Sequence, residues 1–270
     1  MDKLENKRIA VIGGGHIGLA FIEGLMNSGR IDASKLIVAN PSLNKILYLR
    51  KFGISITTNN REAANKSDLI FIAVKPTTIF NALHEIKDLT NNKLLISFVA
   101  AVRIKNIRKI LGNSSAKIIR AMPNIPICIN EGVIGFYSED LKKNEKQQLF
   151  KLFSLLGHVV EVTKELDIDR LTVVSGCGPA LVSHYINMLG DFGAQESTIM
   201  HIIKGTISYL SKKNVTPLSL INSVATKGGI TESILKSLDD SQFKSIFYHS
   251  LESGLQKIKI LSCKKMRTPV

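Results

Sequence analysis

The chain has 270 residues, of which 44% are hydrophobic and 21% charged, so it can bury a sizeable core and is long enough for two domains. Its formal net charge is +14, but the basic residues are spread along the chain without an aromatic-interleaved patch, which argues against a nucleic-acid partner. No uninterrupted apolar stretch is long enough for a membrane span, and three cysteines without a C-x-x-C pair indicate neither a disulfide framework nor a zinc site. We therefore expect a globular, cytoplasmic protein that binds neither membrane nor nucleic acid.

The first patterned stretch predicts a dinucleotide site. An apolar run at 9–12 ends at three consecutive glycines, and a helical apolar pattern follows, as expected for a strand, a tight turn and a helix. The glycines fit the frame G-x-G-x-x-G, which allows the turn, close approach to a pyrophosphate and tight packing of helix on strand. A glycine cluster at a strand end can also be a tight turn only. The residues expected to hold the cofactor are Gly13, Gly15, His16, Ile17 and Gly18. His16 is expected to contribute its backbone N–H group.

The end of the second strand bears on the choice of cofactor. A helix is expected at 18–28 with Gly29 as its left-handed stop, and a strand at 36–39. Where NAD-binding folds commonly carry Asp or Glu, this chain has Asn40-Pro41-Ser42. Since no carboxylate repels a 2′-phosphate and Asn40 and Ser42 can donate hydrogen bonds, we expect NADPH, with NADH possible. The alternative is that this tripeptide is simply a turn.

Strands continue to alternate with helices, which predicts a doubly wound α/β domain over residues 1–164. The ligand crevice of such a sheet lies beyond the carboxyl ends of its strands, where Lys75 and Pro76 follow a buried strand. Helices are expected at 42–52, 104–111 and 144–156, and strands at 54–57, 69–74, 94–100, 117–121, 131–137 and 159–162.

From Glu165 onward the pattern becomes helical, so residues 165–270 are expected to form an all-helical second domain. Glycine-rich breaks at 175–179 and 227–229 each precede a predicted helix. Helix N-termini of this kind would bind a small carboxylate. A helical domain without a sheet often buries its apolar faces by association, so a homodimer or higher homo-oligomer is expected.

Several motifs in order along nearly the whole chain resemble those of the pyrroline-5-carboxylate reductase family. After the glycine loop, Asn60-Arg61-Glu62 precedes an A-V-K-P element, and the later motifs resemble R-x-M-P-N-x-P, S-G-S-G-P-A and V-x-x-P-G-G-x-T. These motifs are Ala73-Val74-Lys75-Pro76, Arg120-Ala-Met-Pro-Asn124 with Pro126, Ser175-Gly-Cys-Gly-Pro-Ala180 and Val224-Ala-Thr-Lys-Gly-Gly-Ile-Thr231.

The resemblance implies a Rossmann-type NAD(P)-binding domain, then a helical domain for dimerisation and substrate binding that can build decamers, with an active site shared between subunits. It implies an NAD(P)H-dependent oxidoreductase acting on a C=N bond, which reduces 1-pyrroline-5-carboxylate to L-proline in the last step of proline biosynthesis. The implied cofactor residues are 13–18, Asn40, Asn60, Ala73, Val74, Lys75 and Pro76, with Ala100 and Ala101 near the nicotinamide. The substrate residues expected from the glycine-rich breaks and the resemblance are Ser175, Gly176, Gly228, Gly229 and Thr231.

The chemistry needs few side chains, because hydride transfer to a protonated imine depends mainly on positioning. Thr231 is the expected catalytic residue, its hydroxyl orienting the carboxylate or the ring nitrogen, and no general acid is assigned. Metal is disfavoured, since Asp167 and Asp169 stand at alternate helix positions that do not share a face. We interpret Cys177 as a small packing residue rather than a nucleophile.

The chain departs from the family pattern at a few positions, which leaves the exact imine open. A first-turn Glu232 is favoured by the helix dipole, but it could also enter the pocket, repel a carboxylate and bind an amine. The alternatives are a reductase of another cyclic imine, or a non-catalytic homologue that binds the cofactor. The departures are Ala101, Cys177, Leu181, Lys227 and Glu232.

Overall fold

A computed structural model describes residues 7–264 of the chain. The strands between residues 9 and 161 form one eight-stranded sheet with the order β3-β2-β1-β4-β5-β6-β7-β8. Strands β1 to β6 are parallel, β7 runs antiparallel to β6, and β8 pairs parallel with β7. The order of the first six strands is that of the Rossmann fold, which confirms the expected fold class. The strands are β1 Ile9–Ile12, β2 Leu36–Ala39, β3 Ser55–Thr57, β4 Leu69–Ile72, β5 Leu94–Ser97, β6 Lys117–Pro123, β7 Gly132–Tyr137 and β8 Gly157–Glu161.

Helices cover both faces of this sheet, and two apolar cores lie between the layers. Neighbouring residues of one strand point to opposite cores, Phe71 to one and Ile72 to the other. Phe21, Phe71 and Phe98 form an aromatic group in the first core, with ring centroids 4.4 to 5.4 Å apart. The helices are α1 His16–Asn27, α2 Asn60–Asn65, α3 Ile79–Ile86, α4 Ile104–Leu111 and α5 Lys143–Ser154.

The predicted helix at 42–52 is wrong. The segment forms two 3₁₀ turns, Leu43–Lys45 and Leu47–Phe52, separated at Ile46 with φ −121° and closed by Gly53 with φ +82°. Ile46 and Leu49 are both buried, and their spacing of three residues aligns them in a 3₁₀ turn. The expected strands at 69–74 and 94–100 are shorter, since the chain leaves the sheet at Ile72 and Ser97.

Residues 165–264 consist of helices and the turns between them, and the described residues contain no strand after Glu161, as expected. A π-helical turn, Thr172–Gly176, separates the first two of these helices. The helices are α6 Glu165–Leu171, α7 Gly178–Asp191, α8 Glu196–Lys213, α9 Pro217–Val224, α10 Ile230–Asp240 and α11 Phe243–Lys264.

The described residues divide into two compact units, residues 7–179 with 255–264 and residues 180–254. The domain boundary between 164 and 165 stays a prediction. Within 180–254, Ile199 is the one buried side chain, whereas Phe192 is 93% exposed and Ile230 is 82% exposed. The second unit therefore has almost no core of its own. None of the helices in the described range is long and apolar enough to cross a membrane.

Candidate active site

The glycine loop between β1 and α1 leaves no room for side chains on its inner side. Gly13 has φ +114°, and a Cβ there would lie 2.6 Å from the backbone carbonyl of Ala73. A Cβ on Gly18 would lie 2.1 Å from the Gly13 carbonyl oxygen. Gly14, which the motif frame leaves unassigned, is equally constrained, since its Cβ would lie 2.6 Å from Ile46 Cγ2. These glycines bring β1, α1 and β4 together at backbone distance.

The outer side of the loop is open. Gly15 is exposed, and a Cβ there would meet no atom within 4 Å. Gly15 is also the N-cap of α1, and no side chain caps it. Because the first N–H groups of a helix have no partner within it, those of His16 and Ile17 are suited to an anion. An uncapped helix start above a glycine cradle fits a dinucleotide pyrophosphate.

Asn40 braces this loop from the end of β2. Its Oδ1 accepts a hydrogen bond from the Gly14 N–H at 3.1 Å, and its Nδ2 donates to the Ser42 carbonyl at 2.8 Å. The Asn40 amide nitrogen therefore already donates within the protein. Ser42 is exposed and its side chain caps no turn, so its hydroxyl is available to a ligand phosphate.

The start of α2 is held by side-chain contacts with α3 and the turn after it. Asn60 Nδ2 donates to Glu85 Oε2 at 2.7 Å. Arg61 binds Asp88 through two hydrogen bonds of 2.6 Å, which lower the pKa of Asp88 to about 2. Asn40 N donates to the Thr57 carbonyl at 3.0 Å, so the ends of β2 and β3 lie side by side. These contacts fix the position of Asn60 near the end of β2.

The ends of β4 and β5 complete the carboxyl edge of the sheet. Ala73 N donates to the Ile12 carbonyl at 2.8 Å, and Phe98 N donates to the Ile72 carbonyl at 3.0 Å. Beyond them the chain turns outward, and Lys75 is exposed. Ala101 is 2% exposed and has φ +61°, a conformation that favours glycine. The cofactor residues predicted between 13 and 101 thus lie on one edge of one unit, with Val74, Pro76 and Ala100 partly exposed.

The turn at Ser175 is held by a residue to which the sequence reading gave no role. Asn124 is buried, accepts from the Val133 N–H at 2.8 Å, and donates to the Ser175 carbonyl at 3.2 Å. Ser175 Oγ is buried without a hydrogen-bond partner among the described residues. An unpaired buried hydroxyl is uncommon, and π-helical turns recur at functional sites. Both features suit the substrate role predicted for Ser175 and Gly176, the last residue of the turn.

Cys177 is exposed, so the interpretation as a packing residue is wrong for the single chain. The backbone explains this, because Cys177 closes the π-helical turn through its N–H to the Thr172 carbonyl and lies outside the core layers. Leu181, four residues later, is also exposed at 37%.

Arg120 of the R-x-M-P-N-x-P motif lies in a buried ionic cluster. It is 1% exposed and binds Glu165 and Asp169 of α6, both at 3.2 Å. Arg103 binds the same Asp169 at 2.6 Å. Asp167 instead pairs with Arg170, as expected if the two aspartates face different sides of the helix. The described residues contain no group of three or more His, Cys, Asp or Glu side chains placed to hold a metal.

In the second unit, the Gly228-Gly229 turn forms the N-terminus of α10. Gly228 has φ +72°, Gly229 is the N-cap without a side-chain cap, and Thr231 lies partly exposed in the first turn. The Gly228 N–H donates to Glu232 Oε2 at 2.6 Å. The carboxylate of Glu232 therefore occupies an N–H group predicted to bind the carboxylate of the substrate.

Two protein families match this chain, one in its N-terminal part and one in its C-terminal part. Residues 8–101 match the family described as NADP oxidoreductase, coenzyme F420-dependent, and residues 165–261 match the family described as pyrroline-5-carboxylate reductase dimerisation. Pyrroline-5-carboxylate reductase 2 of Homo sapiens is 30% identical over 260 residues, covering 91% of this chain and 81% of that protein.

Solved structures of similar proteins extend the match to the fold. Plasmodium falciparum pyrroline carboxylate reductase with NADP bound superposes with a TM-score of 0.86 at 28% identity, covering 96% of this chain and 99% of that one. The pyrroline-5-carboxylate reductase of Coxiella burnetii superposes with a TM-score of 0.83 at 28% identity, covering 95% and 98%.

Proposed function

The chain belongs to the pyrroline-5-carboxylate reductase family, and we propose that it reduces the C=N bond of 1-pyrroline-5-carboxylate with NADPH to give L-proline. It is an NAD(P)H-dependent oxidoreductase. The observation that carries the proposal is its similarity, along 91% of its length, to an enzyme named for this reaction. The similarity to a structure with NADP bound supports the choice of cofactor.

NADPH, when bound, supplies the hydride. We assign its pyrophosphate to the open N–H groups of Gly15, His16 and Ile17, above the cradle of Gly13 and Gly18. The exposed Ser42 hydroxyl and the absence of a carboxylate at the end of β2 favour NADPH over NADH. Asn40 holds the glycine loop in shape, and the remaining cofactor residues line the carboxyl edge of the sheet: Asn60, Ala73, Val74, Lys75, Pro76, Ala100 and Ala101.

We assign the substrate to the turns at Ser175-Gly176 and Gly228-Gly229, with Thr231 as the catalytic residue that orients the carboxylate or the ring nitrogen. The unpaired Ser175 hydroxyl and the uncapped start of α10 support these roles. A protonated imine is already electrophilic and can take its proton from solvent, so the residues of the site contribute mainly positioning. No general acid is needed.

We propose that the chain works as a homodimer or a higher homo-oligomer in the cytoplasm. A homo-oligomer follows from the match of residues 165–261 to the dimerisation family. The lack of buried side chains in 180–254, other than Ile199, supports association through this unit. Three free cysteines suit a reducing compartment. Light scattering of the purified chain should give at least a dimer, and a monomer at micromolar concentration would contradict the proposal.

The direct test measures dihydronicotinamide oxidation by the full chain with freshly prepared 1-pyrroline-5-carboxylate, using NADPH and, as a control, NADH. We expect turnover that is faster with NADPH. Thr231→Ala should lower kcat while leaving NADPH affinity nearly unchanged, and Thr231→Ser, which keeps the hydroxyl, should retain most of the activity. A folded wild-type protein that binds NADPH but does not oxidise it would overturn the function.

One observation favours a second candidate, a reductase of a cyclic imine that lacks the carboxylate. The Gly228 N–H already binds the carboxylate of Glu232, which competes with an anionic substrate. In a substrate panel, this candidate requires 1-pyrroline to have a higher kcat/KM than 1-pyrroline-5-carboxylate. It fails if the carboxylated imine is clearly the better substrate.

A further inference from the structure

We propose that Ser262 is a positioning residue, which holds the loop after β5 in its strained shape on the cofactor edge. The loop runs from Phe98 to Arg103 and contains Ala100 and Ala101, which the proposed function places near the nicotinamide. Ser262 lies far along the chain in α11, in the same compact unit as this loop. The inference rests on the proposed function only in naming NADPH as the ligand of the loop.

The two ends of the loop are fixed by hydrogen bonds that their backbone N–H groups donate. At the start, Phe98 N donates to the Ile72 carbonyl of β4 at 3.0 Å. At the end, Ile104 N donates to Glu165 Oε1 of α6 at 2.8 Å. Between these points lies Ala101, which is buried and has φ +61°. An alanine in this region is strained by its Cβ, so surrounding contacts must hold it there.

Ser262 provides such a contact. Its Oγ lies 3.0 Å from the Ala101 carbonyl and 3.0 Å from the Ile258 carbonyl of its own helix, so the hydroxyl can donate to either. Ile258 is 7% exposed, which anchors this part of α11 in the protein. A hydroxyl on an anchored helix therefore meets the carbonyl of the one strained residue of the loop.

Loss of the Ser262 hydroxyl removes a bond that opposes relaxation of Ala101 toward negative φ. Relaxation would reorient the peptide groups on both sides of Ala101, including that of Ala100. NADPH would then meet a loop that populates its binding conformation only part of the time, and its apparent affinity would fall by that fraction. A glycine at position 101 would keep the left-handed conformation without help.

The experiment titrates NADPH into the full-length chain and follows binding by nucleotide fluorescence, without imine, followed by kcat and KM. Ser262→Ala should weaken NADPH binding by roughly three- to ten-fold, as expected for loss of one hydrogen bond. Ser262→Thr should retain near wild-type affinity. The matched controls Ser250→Ala and Ser253→Ala, in which the lost hydroxyl donated to a carbonyl of α11 itself, should leave affinity unchanged.

The double variant Ala101→Gly with Ser262→Ala separates positioning from simple stabilisation. If Ser262 acts by holding a strained alanine, glycine at 101 should restore most of the lost NADPH affinity. The inference is overturned if Ser262→Ala lowers the melting temperature without changing the NADPH dissociation constant, or if Ala101→Gly restores nothing. Failure of the proposed function is a different result, since it appears as wild-type protein that binds NADPH normally but reduces no imine.

Discussion

Replacement of Glu232 tests which imine this site accepts. Its carboxylate accepts the Gly228 N–H at 2.6 Å, in the turn where the carboxylate of the substrate is expected to bind. An anionic substrate must displace Glu232 and also approach its negative charge. In Glu232→Ala both obstacles disappear, and we expect the KM for 1-pyrroline-5-carboxylate to fall while kcat stays within about two-fold of wild type.

The expected fall in KM can be worked out from the hydrogen bond between the Gly228 N–H and Glu232. A hydrogen bond to a charged acceptor contributes about 1.5 to 3 kcal/mol when buried. Because this turn is exposed, we discount it to about 1 kcal/mol, which corresponds to roughly a five-fold fall in KM. The variant also loses a favourable first-turn carboxylate, worth about 0.3 to 1 kcal/mol of helix stability. In Glu232→Ala the apparent affinity for the carboxylated imine should therefore rise while the stability of the helix falls.

Initial rates at saturating NADPH, with 1-pyrroline-5-carboxylate and with uncharged 1-pyrroline, give the required comparison. Glu232→Ala should improve KM for the carboxylated imine alone. Glu196→Ala is the matched control, since it removes an exposed first-turn carboxylate from α8. An unchanged or higher KM for the carboxylated imine in Glu232→Ala would refute the reasoning, as would an equal change for both imines.

Two pairs of variants test the packing of the first unit. Arg120→Met should lower the free energy of unfolding by about 3 to 5 kcal/mol, because it leaves the buried Asp169 and the partly buried Glu165 short of a partner. Arg61→Met, at an exposed pair, should cost far less. Urea unfolding measures both, and equal losses would contradict the burial argument. Gly13→Ala should abolish NADPH binding or folding, since its Cβ would lie 2.6 Å from backbone atoms of Ala73. In Gly15→Ala the added Cβ meets no atom within 4 Å, so this variant should fold with its melting temperature nearly unchanged. Circular dichroism with NADPH titration checks this pair, and a normal Gly13→Ala protein would refute the packing.

Sequence patterns predicted the elements that are set by local rules. Leu69–Ile72 is a parallel strand buried on both faces, so it reads as an unbroken apolar run. The helix Ile104–Leu111 was predicted with its full bounds, because amphipathic spacing and Gly112 mark its limits. The prediction for residues 42–52 was wrong, because the apolar spacing there suits both an α-helix and 3₁₀ turns. The structure has 3₁₀ turns, with Ile46 and Leu49 buried.

Roles that depend on distant partners could not be predicted from the sequence. Asn40 fits a cofactor ligand by type and position, yet its side chain is committed to the glycine loop. In the sequence, Arg120 was only one residue of a motif. Its burial against two carboxylates of α6 became visible only in the structure. The contact of Asn124 with Ser175, 51 residues away, could not be predicted from any local pattern in the sequence. In each case the side chain of a polar residue is committed to partners within the protein.

The helix starts at Gly15 and Gly229 differ in how open they are to an anion. Both are glycine N-caps without a side-chain cap, so both expose N–H groups suited to an anion. The first has open space around it, whereas the N–H group beside the second is taken by Glu232. Glu232 is one of the departures from the family motifs named from the sequence. We therefore expect the departure at Glu232 to affect recognition of the imine, while the N–H groups at the start of α1 stay open to the pyrophosphate.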